Sequence, residues 1–190
     1  MNRIELAQVL AHEAHDSIGQ KRKYLGEPYW IHTDAVADTV ASVGGTEDMI
    51  VAAHLHDVLE DVEPHKPEYG ATWIDKHFGI KVLALVVELT DVYIKSSFPN
   101  LNRAARHKYE NKRLAGISAE AKTIKLADLI NNTASIVSED RDFAQVYLRE
   151  KFELLPLLSD GNAELLNRAS IQTMAACAAL GIVIPTVSAS

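Results

Sequence analysis

Apolar residues recur every three or four positions along most of the chain, and sustained alternation of apolar and polar residues is hard to find. The first spacing puts apolar side chains on one face of an α-helix, whereas alternation is typical of half-buried strands. The pattern therefore predicts an all-α fold, a bundle of about eight to ten helices.

Capping residues and helix breakers locate the first two helices. The first is predicted over residues 4–16, before a loop that contains two glycines and Pro28. The second is predicted to begin near Thr33 or Asp34, because both residue types are good N-caps. It is predicted to end at residues 44–45, where two glycines follow one another.

The same signals continue along the rest of the chain. Thr46 is predicted to cap a third helix that continues through residues 52–61. The stretch TWID, residues 72–75, resembles a capping box for a short helix that Gly79 ends. Further helices are predicted near residues 80–91, 100–115, 119–138, 142–158 and 162–180.

Composition and charge narrow the class of protein. The chain has 190 residues, of which 47% are apolar and 24% charged, as in globular proteins with one core. We therefore expect a single domain over residues 1–190. The net charge of −7 argues against binding to nucleic acid or to an anionic membrane. Basic residues cluster only in 20–24 and 102–113, and charge alone favours a solvated surface there over a site for a phosphorylated ligand.

Two features predict the compartment. The segment MNRIELAQVLAHEAH at the N-terminus lacks the hydrophobic centre of a secretory signal, so we expect a cytoplasmic protein. Cys177 is the only cysteine, which excludes an internal disulfide and indicates a reducing compartment. Its predicted role is core packing.

The stretch AAHLHDVLED, residues 52–61, combines two histidines and three carboxylates with apolar neighbours. Burying unpaired charge is costly, and a divalent metal ion would compensate it. On a continuous helix, residues four apart share a face, so His56 would lie beneath Glu60 and Asp57 beneath Asp61. His56 and Asp57 could then hold an ion while the two acids reach a substrate or a water molecule beside it.

Two more residues qualify as ligands on local grounds. His32 directly precedes the second predicted helix, and Asp128 lies among apolar residues in KLADLINN. A buried aspartate needs a partner, which is either a metal ion or a lysine such as Lys125. A single histidine is more often structural than a ligand. Of the other histidines, His54 is predicted to lie in the core or behind the site, and His15 at the surface.

Four ordered stretches carry a family resemblance. They are GQKRKYLGEPYWIH, AAHLHDVLED, FGIKVLALVVELT and KTIKLADLINN. In this order they resemble the hydrolase domain of the RelA/SpoT homologues, a branch of the HD-domain metal-dependent phosphohydrolases. They are most similar to the stand-alone small alarmone hydrolases, which include the metazoan SpoT homologue. The resemblance covers about residues 5–158 and implies an HD-domain helical bundle.

The resemblance implies an activity and a cofactor. It implies Mn²⁺-dependent hydrolysis of the 3′-pyrophosphate of guanosine tetra- or pentaphosphate (ppGpp or pppGpp), which yields GDP or GTP and pyrophosphate. Glu60 and Asp61 match the catalytic carboxylate pair that orients the attacking water and manages its proton. The implied metal ligands are His32, His56, Asp57 and Asp128.

The resemblance also implies substrate contacts. Arg22 and Lys23 match an Arg-Lys pair that faces the nucleotide. This match favours ligand binding over a solvated surface for that basic segment. The other implied contacts are Asn132 at the sugar, Lys112 or Arg113 at the phosphates, and Tyr147 beside the base.

The chain departs from the family pattern at several positions, among them Thr33, where proline is common, and two residues of the last stretch. The family usually reads LADRLHN, so Leu129 and Asn131 replace an arginine and a histidine. Adenosine alarmones, the 2′-phosphate of NADPH or another nucleotide therefore stay open as substrates, as does a noncatalytic nucleotide sensor. The sequence shows no synthetase-like stretch, so we expect hydrolysis only.

Overall fold

The computed structural model describes residues 1–183, and the regular elements within them are helical. This confirms the predicted all-α class and the range of helix number. The α-helices are α1 (Arg3–Ser17), α2 (Trp30–Ser42), α3 (Glu47–Leu55), α4 (Ala71–Phe78), α5 (Ile80–Leu89), α6 (Arg103–Leu114), α7 (Ala119–Glu139), α8 (Arg141–Leu154) and α9 (Ala163–Ala179).

The start of α3 confirms a predicted cap, whereas the start of α2 does not. The Thr46 hydroxyl accepts a hydrogen bond from the Met49 amide at 3.3 Å. Helix α2 begins at Trp30, earlier than predicted, and has no side-chain cap. Thr33 is fully buried and donates to the Trp30 carbonyl, while Asp34 pairs with histidines of other helices. The two expected caps are therefore inside the helix and have tertiary partners instead.

Helix α4 ends as predicted but begins differently. Its N-cap is Gly70, which has no side chain to accept a hydrogen bond, so the predicted TWID capping box is wrong. Gly79 ends the helix with φ 84°, a left-handed conformation that glycine adopts without strain.

Two helices bring the chemistry-bearing residues into one core. Helix α3 packs against α1, α2 and α5, while the long α7 packs against α2, α8 and α9. Leu55 at the end of α3 and Leu126 in α7 are both fully buried. Because the core holds both helices, it fixes the backbone on each side of the residues discussed below.

The continuous α-helix predicted through residues 52–61 is wrong. Helix α3 ends at Leu55, and Val58–Val62 forms one π-helical turn. The Glu63 amide accordingly donates to the Val58 carbonyl, five residues earlier, at 3.0 Å. Val58 and Val62 are both fully buried. The wider turn keeps both valines in the core, and it changes the directions of the side chains between them.

Several individual predictions can be checked in this fold. His54 and Cys177 are buried, as predicted. His15 is fully buried, so its predicted surface position is wrong. In the part of the chain that the structure describes, no helix combines the length and apolar character needed to cross a membrane.

Candidate active site

Four predicted ligands from three parts of the chain meet at one buried corner. His32 lies in the first turn of α2, His56 and Asp57 follow α3, and Asp128 lies in α7. His56 Nε2 lies 3.1 Å and His32 Nε2 3.7 Å from Asp57 Oδ2. The same two nitrogens lie 4.0 and 3.3 Å from Asp128 Oδ1. We call these four residues the metal corner, and three of them, His32, His56 and Asp57, have donor atoms within metal-binding distance of one another.

The hydrogen bonds of the two histidines leave their inner nitrogens available. His56 Nδ1 lies 2.7 Å from the Ala53 carbonyl, which can only accept, so Nδ1 carries the hydrogen. His32 Nδ1 lies 2.7 Å from Asn131 Oδ1 and carries a hydrogen for the same reason. In the neutral rings each Nε2 therefore has a free lone pair, and neither has a hydrogen-bond partner among the residues described.

This donor set fits a divalent transition metal. The donor atoms of His32, His56 and Asp57 all lie within 4.8 Å of one another. A buried polar atom without a partner is costly, and metal coordination would satisfy both histidine nitrogens. Imidazole and carboxylate together suit ions such as Mn²⁺, Fe²⁺ or Zn²⁺. The corner is therefore a possible metal site.

The charges at the corner favour ionised carboxylates. Burial raises the pKa of Asp57, but His56 and His32 outweigh burial and hold the pKa well below its usual range. Burial acts likewise on Asp128, where Lys125 and His32 hold the pKa low. Burial lowers the pKa of His56, but Asp57 and Asp128 raise it to about 9, so a metal ion that binds Nε2 would replace the proton of this ring. Both carboxylates are thus in the state that binds a cation.

Asp128 pairs with the lysine that the sequence offered as a partner, and it also faces the two histidines. Its Oδ2 pairs with Lys125 Nζ at 3.0 Å, as the structural alternative predicted. Its Oδ1 faces His32 and His56, and also accepts a hydrogen bond from Asn132 Nδ2. One carboxylate oxygen therefore balances the buried lysine while the other remains directed at the corner.

Glu60 and Asp61 lie next to the corner but have different partners. Glu60 Oε2 accepts a hydrogen bond from the Asp91 amide at 3.0 Å, and burial, Asp91 and Asp57 raise the Glu60 pKa to about 8. Asp61 Oδ2 accepts one from Gln20 Nε2 at 2.7 Å, and burial and Asp57 raise its pKa to about 6. At neutral pH the first acid is mostly protonated and the second mostly ionised.

A hydrogen-bond chain behind Asp61 was not predicted. Gln20 donates to Asp61 through Nε2, so its Oε1 accepts from His15 Nδ1 at 2.7 Å. Beside this chain, the Tyr29 hydroxyl donates to Asp57 Oδ2 at 2.6 Å. The apolar spacing of α1 contained a signal for His15, because it follows buried Ala11 by four residues and shares its face.

A cleft of about 310 Å³ opens beside His32. Three predicted substrate contacts line it, namely Arg22, Lys23 and Asn132. Tyr24 and Phe143 add aromatic rings that sequence reasoning missed, and Lys23 Nζ lies 4.7 and 5.7 Å from their centroids. Cationic and aromatic side chains together suit a nucleotide, because a base can stack while phosphates meet positive charge.

The other predicted contacts lie elsewhere. Tyr147 lines a second cleft of about 240 Å³, and its hydroxyl donates to the Leu129 carbonyl at 3.3 Å. Arg113 bonds to Glu110 and to the Glu88 carbonyl, and Lys112 is exposed. The basic side chains of α6 that line the second cleft are Arg103 and His107.

Known proteins are similar in sequence to this chain over the region that contains the site. Residues 7–154 match the family model described as HD domain. A Synechocystis sp. protein named "Probable guanosine-3′,5′-bis(diphosphate) 3′-pyrophosphohydrolase" is 36% identical over 128 residues, 65% of this chain and 16% of that protein. The Vibrio cholerae guanosine-3′,5′-bis(diphosphate) 3′-pyrophosphohydrolase is 33% identical over 147 residues, 77% of this chain and 20% of that protein. The chain thus spans a fifth or less of the length of these curated relatives.

A solved structure shares the fold. It is that of a metazoan orthologue of SpoT described as hydrolysing ppGpp and acting in starvation responses. The TM-score is 0.77 with 24% sequence identity, over 96% of this chain and 98% of that one. At this identity the likeness establishes the fold alone, and the chemistry has to be argued from the residues of the corner and cleft.

Proposed function

This chain belongs to the HD-domain family, and on that premise we propose that it hydrolyses the 3′-pyrophosphate of ppGpp or pppGpp to give GDP or GTP and pyrophosphate. One observation carries the proposal. Two buried imidazole nitrogens without hydrogen-bond partners face two ionised carboxylates beside a cleft with cationic and aromatic walls. The names of the relatives support the choice of substrate. We take residues 1–190 as one HD-type hydrolase domain.

We further propose that His32, His56, Asp57 and Asp128 bind Mn²⁺. The nitrogen and oxygen donor set supports a transition ion rather than Mg²⁺, which prefers an all-oxygen shell. When bound, the ion supplies a Lewis acid and a water molecule of lowered pKa. The Tyr29 and Asn131 hydrogen bonds hold two of these ligands in position.

Glu60 and Asp61 take opposite roles in this proposal. Asp61 is mostly ionised and accepts the proton of the attacking water, while Glu60 is mostly protonated and gives its proton to the ribose 3′-oxygen. A bond forms between the water oxygen and the nearer phosphorus, and the bond from that phosphorus to the ribose oxygen breaks. Pyrophosphate leaves, and the remaining GDP or GTP regains its 3′-hydroxyl.

The cleft beside His32 accounts for nucleotide binding. We propose that Arg22 and Lys23 contact the nucleotide, that Asn132 contacts its sugar, and that Tyr24 and Phe143 stack on the base. Tyr147 lines the second cleft, and its hydroxyl bonds to the Leu129 carbonyl. We therefore propose that it stabilises the fold and does not contact the base.

The test is product analysis with purified protein, Mn²⁺ and ppGpp. We expect pyrophosphate release that the double variant Glu60→Gln, Asp61→Asn abolishes while binding of GDP persists. A matched control, Glu13→Gln with Asp16→Asn, changes two exposed acids of α1 and should retain activity. Phosphate release from NADPH without pyrophosphate release from ppGpp would redirect the proposal to another phosphohydrolase. Binding without turnover by the folded wild type would identify a sensor.

A further inference from the structure

Asn131 connects the metal corner to the nucleotide cleft through one atom. Its Oδ1 accepts a hydrogen bond from Arg22 Nη1 at 2.7 Å and another from His32 Nδ1 at 2.7 Å. The side chain is half-buried on α7, one turn of helix away from Asp128. A proposed metal ligand and a proposed nucleotide contact therefore share a single acceptor.

The chemistry of the partners assigns the hydrogens without ambiguity. A guanidinium can only donate, so the atom that contacts Arg22 is the amide oxygen of Asn131. The same oxygen must then accept from His32, which places the hydrogen of the neutral ring on Nδ1 and the lone pair on Nε2. Asn131 thereby selects the tautomer in which His32 can coordinate a metal ion.

Arg22 has a second partner that does not involve the corner. Its Nη2 donates to the Ser135 hydroxyl at 2.8 Å, one turn of α7 beyond Asn131. The two bonds hold the guanidinium against α7, and the rest of the group lines the cleft. Loss of the Ser135 hydroxyl would loosen Arg22 without affecting His32, whereas loss of Asn131 would loosen both Arg22 and His32.

We propose that Asn131 is a positioning residue that orients His32 for the metal ion and Arg22 for the nucleotide at the same time. The inference rests on the proposed function, because it takes the corner as a metal site and the cleft as a nucleotide site. A histidine, which the family usually has here, offers only one acceptor nitrogen in its neutral form. The asparagine oxygen has two lone pairs and serves both donors.

The experiment measures metal and nucleotide binding separately, without turnover. Mn²⁺ is titrated into metal-free protein, and GDP is titrated into the same protein without Mn²⁺, both by calorimetry. For Asn131→Ala we expect Mn²⁺ affinity to fall about 10- to 100-fold, as for other residues that orient metal ligands. We expect GDP affinity to fall roughly threefold to tenfold, the effect of one hydrogen bond on an arginine anchor.

Two matched variants separate the two effects. Ser135→Ala should weaken GDP binding to a similar extent and leave Mn²⁺ affinity unchanged, because the Ser135 hydroxyl bonds to Arg22 and to the Asn132 carbonyl but not to His32. Asn131→Asp still offers carboxylate oxygens that accept from both donors, and it should retain the Mn²⁺ affinity of the wild type. Circular dichroism and a thermal melt establish that each variant is folded.

The outcomes distinguish this inference from the proposed function. If Asn131→Ala changes only one of the two affinities, or neither, the dual role is wrong. If both fall but the wild type releases no pyrophosphate from ppGpp, the positioning role stands and the proposed reaction fails. A loss of Mn²⁺ affinity in Ser135→Ala equal to that in Asn131→Ala would also overturn the inference, because Ser135 has no contact with His32.

Discussion

Replacing Tyr29 with phenylalanine tests the metal corner without touching a proposed ligand. The Tyr29 hydroxyl donates to Asp57 Oδ2 at 2.6 Å, and this oxygen also faces both histidines. Burial and Asp57 raise the pKa of Tyr29 well above its usual value, so the phenol remains a donor. Phenylalanine keeps the ring and its packing and removes only the hydrogen bond that orients the carboxylate.

The size of the effect follows from the charge of the acceptor. Hydrogen bonds to charged groups contribute about 1.5–3 kcal/mol, and each 1.4 kcal/mol is about tenfold in affinity. If the metal-bound state loses the whole contribution of this hydrogen bond, Mn²⁺ affinity falls about 10- to 100-fold. The same range is typical of residues that orient metal ligands in other proteins.

Calorimetric titration of Mn²⁺ into metal-free Tyr29→Phe measures this change directly near neutral pH. Tyr24→Phe is the control, because it removes a comparable hydroxyl that bonds to Asp140 instead of to a proposed ligand. Turnover of Tyr29→Phe should be low at limiting Mn²⁺ and recover at excess. Equal Mn²⁺ affinity in Tyr29→Phe and wild type would refute Asp57 as a ligand oriented by this hydroxyl.

Three further predictions concern other parts of the molecule. Gln20→Leu removes a hydrogen-bond donor that lowers the pKa of Asp61, so the acid limb of the pH–activity profile should move to higher pH. An unchanged profile would contradict a catalytic role for ionised Asp61. Burial lowers the pKa of Lys151 to about 8, so the unfolded state binds more protons between about pH 8 and 10. The unfolding free energy of the wild type, measured in denaturant melts relative to that of Lys151→Met, should therefore rise by roughly 2 kcal/mol across that window. The same pH dependence in both proteins would refute this. Thr46→Ala should cost about 1 kcal/mol of unfolding free energy without loss of activity, and a neutral effect would contradict the cap.

The helices could be predicted because their signals are local. Apolar spacing and the glycine at position 79 belong to short stretches of chain, and the structure confirms the class and most of the bounds. The start of α2 could not be predicted in this way. Asp34 is a good cap in isolation, but His12 and His54 come from two other helices and pair with it inside the fold. Tertiary contacts therefore override the local preference.

Part of the candidate site could likewise be predicted from the sequence, and part could not. The metal corner was expected from residue types and from four ordered stretches, and the structure brings those residues together. The supporting contacts could not be expected, because they depend on which side chains face each other across the core. Gln20, Tyr29 and Asn131 carry no charge, and their roles become visible only from the partners that they contact.

The π-helical turn at Val58–Val62 imposes a length constraint on the chain. Deleting one residue from it would restore ordinary α pitch and rotate the following side chains by about 100°. Glu60 would then leave the Asp91 amide, or one of the two buried valines would face solvent. Engineered or natural variants with a one-residue deletion here are therefore expected to lose the acid pair even though every one of the four proposed ligands is still encoded.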